Sequence, residues 1–566
     1  MKQLRQMSIL VRGAQLLLLV LALFLVVWLV PDTGKKHTSG TEASEAGADG
    51  SGDAAENEKN GAGGNPEDDE SSAGKMTQDE ADENVSDGEM SSKRRTSRKQ
   101  PDKGKKGAQE TQEETVYTPP IIWLATDLHY QSPQMTDFQS AFDTYTMGND
   151  GTIVPYLDEI TDAFLEEVRA ERPSALILSG DLSQNGEKAN HQALAKKLER
   201  VQEAGIPVLV IPGNHDINHP WAATYFDDKV SPAEGTSSEE FYQIYHQFGY
   251  DQAASRASDS LSYVYRLDEK YWLMMLDSCM CEPVHETGGK LSEETVAWMK
   301  TQLEEAKKQG VTVIPVSHHN LLDESTLYPE ECTIENTKEV TALLESYGVP
   351  VYLSGHLHLQ RIKKHTSNLN TPGGYGIREI VTSPLSMAPC QYSVLDWQAD
   401  GSLSYHTKKV DIAGWAQRYG EEDENLLNFD AYADQFLVDV ISEQAFKALQ
   451  SASKDIKEEM ATLYADMNRD YCSGTKINVS KVKKSEAYQY WIRYSGNDFW
   501  LARLQAILHD ARTNNTALEL KAGVDFPLPG ETIENPESAE NAEDSGADAG
   551  SPAEEIQKKQ AASGKE

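Results

Sequence analysis

An α/β architecture followed by a small all-helical domain is predicted from three features of the 566-residue chain. Two short apolar runs, Ala175 to Leu178 and Pro207 to Pro212, flank a helical pattern and form a strand-helix-strand unit. Similar runs recur from Ile121 to Leu353, and several end abruptly in acidic, amide or imidazole residues. After about Asp411 the pattern changes to amphipathic and aromatic helical spacing. Continuous apolar runs suit parallel strands covered on both faces, and in such sheets ligands gather outside the carboxyl ends of the strands.

The chain opens with Lys2, Arg5 and Arg12, followed by an apolar span of about 27 Å as a helix, at ~1.5 Å per residue. Residues 1–30 are therefore expected to be a membrane anchor. A cleaved secretory signal lacks a small-x-small site before Pro31. Basic residues ahead of the span keep the amino terminus in the cytoplasm, so either reading exports the rest. The expected location is the cell membrane, single-pass, with the catalytic part outside the cytoplasm.

Residues 31–116 are rich in Gly, Ala, Ser, Glu and Asp and nearly free of aliphatic and aromatic side chains, as is the tail 529–566. Neither buries enough to offset its ordering entropy, so both are expected to be disordered. Residues 117–410 and 411–528 remain as folded domains. Of the formal charge of −39, about −26 falls on this folded part. So acidic a core argues against a long nucleic acid partner, whose phosphates are bound by Lys and Arg. The five cysteines form no CxxC pair, so neither a disulfide framework nor a thiolate metal site is suggested. Cys279 and Cys281 are expected in the core.

Within 117–410, Ile121 to Thr126 (IIWLAT) reads as a buried strand leading to Asp127-Leu128-His129. Side chains at i and i+2 of an extended chain share a side, so Asp127 and His129 can hold one cation. Ala175 to Leu178 leads through Gly180 to Asp181. The helix carrying Ala193, Leu194, Leu198, Val201 and Ala204 is stopped by Gly205 and Pro207. The next strand delivers Asn214, His215 and Asp216, and His215 beside Asp216 looks like an imidazole held by a carboxylate. Leu261 to Leu267 and Tyr271 to Leu276 read as further strands. Thr312 to Ser317 delivers His318 and His319, and Val351 to Leu353 delivers Gly355-His356-Leu357-His358. Singly, each pair is compatible with turn chemistry or a surface histidine. Five at successive strand ends point to a two-metal site.

These blocks, Asp127-x-His129, Gly180-Asp181, Gly213-Asn214-His215-Asp216, His318 and Gly355-His356-x-His358, resemble the calcineurin-like metallophosphoesterase superfamily, in order and over roughly residues 118–410. The strings GDLSQNGEKANH and IPGNHDINHP are also similar to an exported bacterial branch of cyclic-nucleotide phosphodiesterases with a helical carboxyl-terminal domain. The resemblance implies a four-layer α/β/β/α sandwich with two metals between strand ends. It assigns Asp127, His129 and His358 to one metal, Asn214, His318 and His356 to the other, and Asp181 to both. His215 becomes the proton donor, oriented by Asp216, and His319 stays open as a replacement for His318.

Oxygen and nitrogen ligands without thiolate suit two divalent ions of manganese, iron or zinc. Two cations ~3.5–4 Å apart clamp an attacking hydroxide and a phosphoryl oxygen, so no side-chain nucleophile is needed. The expected activity is hydrolysis of small phosphodiesters, cyclic nucleotides first, by a monomer. A broad-specificity phosphomonoesterase, a cell-envelope phosphodiesterase and a surface binding protein with a decayed metal site are the alternatives.

In 411–528, Phe429 to Leu449, Ile456 to Tyr464, Ala487 to Ile492 and Phe499 to Ala511 read as helices. Tyr488, Tyr490, Trp491, Tyr494, Phe499 and Trp500 form an aromatic stretch that suits either core packing or stacking on a base.

Overall fold

A computed structural model describes residues 117–323, 325, 332–366, 375–449, 451–495 and 499–528. The expected anchor, linker and acidic tail lie outside the described residues. Among the described residues no helix is long and apolar enough to cross a membrane.

Two mixed sheets face each other. In the first, the strands run in the order Ala517–Leu520, Leu403–Lys409, Gln391–Trp397, Ile121–Ala125, Ala175–Ser179 and Val208–Ile211. The last three are parallel to one another. In the second, the order is Arg361–Lys364, Arg378–Val381, Val351–Ser354, Thr312–Ser317, Tyr271–Leu276, Tyr263–Arg266 and Ser255–Arg256. Its four strands from Arg378–Val381 to Tyr271–Leu276 are parallel.

The period of two along a strand sorts the side chains between two cores. Tyr271, Leu273 and Met275 face the first sheet, where the Tyr271 ring meets Trp397 at 4.7 Å. Trp272, Met274 and Leu276 face the other way, onto Val296, Met299 and Leu303 of helix Glu293–Gln309 and Val340 and Leu344 of helix Thr337–Ser346. On the outer side of the first sheet lie helices Leu157–Glu171 and Lys188–Glu203, burying Phe164, Val168, Leu194 and Leu198. The result is the four-layer α/β/β/α sandwich. Cys281 is buried as expected, whereas Cys279 is half-buried with its Sγ 3.3 Å from the Pro212 carbonyl.

The region after Asp411 is helical through Asp510, with its longest helices at Phe429–Ala448 and Lys454–Cys472. The second outruns the expected Ile456 to Tyr464, because Met467 and Tyr471 continue the buried stripe of Met460 and Tyr464. One departure from an all-helical domain is strand Ala517–Leu520, which returns to pair antiparallel with Leu403–Lys409, Leu520 opposite Leu403. Gln360 ties the two parts further, donating from Nε2 to Tyr405 Oη and the Asn515 carbonyl, and from its amide to the Cys472 carbonyl.

Candidate metal centre

The strands ending at Ala125, Ser179, Ile211, Ser317 and Ser354 all release their chains toward one place. Asp127, His129, Asp181 and His358 converge there, and Asp181 with His318 and His356 forms a second, contiguous group. The loops are strained. Asp127, His129, Asp181, His356 and His358 all have φ between 44° and 68°, a region that costs a non-glycine residue about 1–3 kcal/mol. This corrects the extended geometry expected for the two i, i+2 pairs: each pair shares a site through a left-handed turn.

Backbone hydrogen bonds hold the turns in place. The Asp127 amide donates to the Gly180 carbonyl and the His129 amide to the Asp181 carbonyl, so the two loops run side by side. Glycine is needed where they meet. A Cβ on Gly213 would overlap Asp181, and one on Gly355 would overlap Thr126 and press on Asp127.

Asp127 Oδ2 accepts from Thr126 Oγ1 at 2.8 Å and the His356 amide at 3.0 Å. Its Oδ1 is buried without a hydrogen bond and lies 3.3 Å from His358 Nε2, which is itself 3.0 Å from His129 Nε2. On the other side, His318 Nε2 has Asn214 Oδ1 at 3.1 Å, Asp181 Oδ2 at 3.2 Å and His356 Nδ1 at 3.2 Å. His318 Nδ1 is 3.0 Å from the Ser179 carbonyl, an acceptor only, so the neutral ring aims a lone pair from Nε2 at this crowd. Lone pairs packed this closely repel unless a cation or a proton lies among them. The donor set thus fits two divalent metals, with Asp181 between them.

The electrostatics agree. Burial opposes ionisation of Asp181, yet His318, His215 and His129 hold its carboxyl well below the ordinary range. Burial also opposes protonation of His318, but Asp181 and Asp127 outweigh it and raise its pKa to about 9 without metal. His129 goes the other way, to about 4, because burial outweighs the attraction of Asp181.

His318 rather than His319 faces the cluster. His319 Nδ1 is 2.8 Å from Ser278 Oγ and its Nε2 is 2.9 Å from the Thr287 carbonyl, so both nitrogens are occupied elsewhere. Asp216 does not orient His215. Its carboxylate accepts from the Gly213, Leu182 and Ser183 amides and from Ser183 Oγ, which pins the Asn214 loop to the Asp181 loop. His215 Nδ1 instead lies 3.0 Å from both the Gln184 carbonyl and Asn185 Oδ1. Adjacent residues on a tight turn point apart, which sequence proximity concealed.

Other residues were missed. Asp150 hydrogen-bonds His358 Nδ1 and fixes the ring from its far side. His219 stacks on His215 at 4.6 Å, and His285 Nε2 donates to the Asn214 carbonyl at 2.7 Å. Asn185 and Glu187 stand in the string GDLSQNGEKANH, whose polar residues offered the one available signal. Glu187 binds the Asn185 and Ala223 amides, and buried His191 meets Ser183 and Tyr245.

Residues 121–360 match the family model for calcineurin-like phosphoesterases. The chain carries a calcineurin-like phosphoesterase domain. Residues 411–514 match the C-terminal domain of cyclic nucleotide phosphodiesterase. The phosphoesterase region is similar to several curated proteins at low identity. An uncharacterised metallophosphoesterase-like protein of Bacillus subtilis is 23% identical over 41% of this chain and 47% of its own length. A probable cyclic nucleotide phosphodiesterase of Xenorhabdus bovienii is 21% identical over 38% of this chain and 81% of its own. The 3′,5′-cyclic adenosine monophosphate phosphodiesterase of Escherichia coli is 24% identical over 35% of this chain and 60% of its own. The match to the Bacillus subtilis protein therefore spans about half of that relative.

Proposed function

We propose that this phosphoesterase domain hydrolyses small phosphodiesters, cyclic nucleotides among them. Asp127, His129 and His358 would hold one divalent ion, Asn214, His318 and His356 a second, with Asp181 shared. The observation that carries this reading is the membership of Asp181 in both ligand groups. Two manganese, iron or zinc ions, when bound, supply Lewis-acid polarisation of a phosphoryl oxygen and a water acidic enough to attack near neutral pH.

The chain's own residues do the rest. His215 donates through Nδ1 to the Gln184 carbonyl, which fixes the ring, and its doubly protonated form would deliver the Nε2 proton to the departing oxygen and be left as the neutral Nδ1–H ring. Its ring stands 5.0 Å from that of His129, beside the ligands but not among them. Asp216 keeps the two loops in register. The preference for a diester is supported by the match of residues 411–514 and the names of two relatives, and the net charge of −39 disfavours a long polyanion. A position outside the cytoplasm belongs to the same proposal and rests on Lys2, Arg5, Arg12 and the apolar span behind them.

The test compares kcat/KM for 2′,3′- and 3′,5′-cyclic nucleotides, a nucleoside monophosphate and an aryl phosphate at equal manganese loading. The diesters should lead. A tenfold or greater preference for the monoesters would reject the diesterase reading in favour of a phosphomonoesterase.

A further inference from the structure

We propose that a cavity beside His358, walled by the helical region, is a nucleobase subsite. The cavity has a volume of about 260 Å³, just under the ~300–1,000 Å³ of typical small-molecule pockets, so it has room for one ring system and not for a polymer. Asp150 and His358 are among the residues that line it. His358 also belongs to the metal-ligand group, so whatever fills the cavity lies next to the reacting phosphate.

Part of the wall is made of flat groups. Trp500 stands edge-on to Tyr464, with ring centroids 4.9 Å apart. The Arg503 guanidinium lies 5.1 Å from the Phe499 ring, and its Nε donates to Tyr464 Oη at 3.1 Å. Phe499 is 66% exposed. The aromatic stretch is thereby divided. Trp491 is fully buried and donates to the Met460 carbonyl at 2.8 Å, and Tyr488 is also buried, so these two are core. Phe499 and Trp500 face the cavity instead.

A second observation points to a ligand with a polar edge. Asn468 lines the cavity and is only 9% exposed, yet its sole hydrogen-bond contact is a 3.6 Å approach of Cys472 Sγ to Oδ1. Its Nδ2 has no partner. The Asn468 amide lines the cavity, where a base edge offers both a donor and an acceptor to such a group. His358 sets the orientation: it belongs both to the metal-ligand group and to the cavity lining, which leaves the phosphate on the metal side and the base inside.

The subsite deepens the proposed function by naming the part of the substrate that is recognised, but its test does not depend on turnover. Metal-loaded full-length protein is titrated with adenosine 5′-monophosphate and with ribose 5-phosphate by calorimetry. Base stacking is worth about tenfold or more in affinity, so the nucleotide should bind at least tenfold more tightly than the sugar phosphate. Phe499→Ala, Trp500→Ala and Asn468→Ala should each erode that preference, while ribose 5-phosphate affinity and metal content stay unchanged. Phe499 is exposed, so its variant keeps the measurement interpretable if Trp500→Ala does not fold. Equal or undetectable affinity for both ligands in the unaltered protein overturns the subsite, as does a preference that survives all three substitutions. Binding preference without hydrolysis of any diester would instead reject the proposed function and leave the subsite standing.

Discussion

Around the metal centre, Asp127, His129, Asp181, His356 and His358 all sit in the left-handed backbone region, whereas among the described residues of 411–528 no non-glycine residue has positive φ. The two regions meet at His358 and are built differently. The strand-end loops hold these five candidate ligands in a costly conformation that survives because neighbouring loops and buried carboxylates over-determine it. The helical region presents Tyr464, Asn468, Phe499 and Trp500 from relaxed helices, where a side chain can change without disturbing its backbone. The difference teaches that geometry here is concentrated where charge must be placed, and that selectivity is left to a more forgiving surface.

The contrast is sharpest at Asp181. Asp181→Ala should remove both ions and all metal-dependent turnover, a larger loss than any other single substitution, because its Oδ2 lies within reach of both His318 and His129. Two ions per chain retained by elemental analysis would break the assignment. Chelation of the unaltered protein should do the same reversibly, with activity restored by manganese, iron or zinc.

His215→Ala is expected to lower kcat by about 10²–10⁴ with metal content intact. Metal loss in that variant would place His215 among the ligands. Asp150→Ala should cost about 10–100-fold in metal affinity or activity, through the freed His358 ring. An unchanged affinity would mean that the ring is held by other contacts.

Metal binding should also release protons. Without metal, His318 is raised to about 9 and His358 is raised as well, so both carry a proton near neutral pH. These protons must leave before the nitrogens can ligate, so affinity should fall as pH falls below about 9, roughly tenfold per unit for each proton released. Calorimetry in buffers of different ionisation enthalpy measures that release directly, and a pH-independent affinity would contradict it.

The smallest effect on turnover is expected from the helical core. Trp491→Ala should cost about 3–5 kcal/mol of stability by denaturant titration, yet leave metal content and kcat per folded molecule nearly unchanged. A parallel loss of metal would show the two regions to be more tightly coupled than their backbones suggest.

The residues of the candidate site were legible in the sequence because each stands within a few residues of an apolar run, and such runs declare parallel strands whose ends converge. Their supports were not. Asp150 meets His358 across 208 residues, and the Ser179 carbonyl that orients His318 is a backbone group with no signature at all. Asp216 misled for the opposite reason, since adjacency in the chain is a poor guide to direction on a tight turn. In the helical region Trp491 and Trp500 look alike as letters, and only tertiary packing assigns one to the core and the other to a cavity. Strand Ala517–Leu520 escaped notice because four alternating residues at a sheet edge are too short a pattern to stand out from a loop.

That strand carries one more consequence. Leu403–Lys409 and Ala517–Leu520 are hydrogen-bonded neighbours, so the whole helical stretch leaves the sheet and re-enters it at a single place. It is an excursion within a hairpin, whose closure cost grows only slowly with length. Such a stretch enters and leaves the sheet between two neighbouring strands at its edge, so it interrupts none of the pairings among the strands that end at the candidate site.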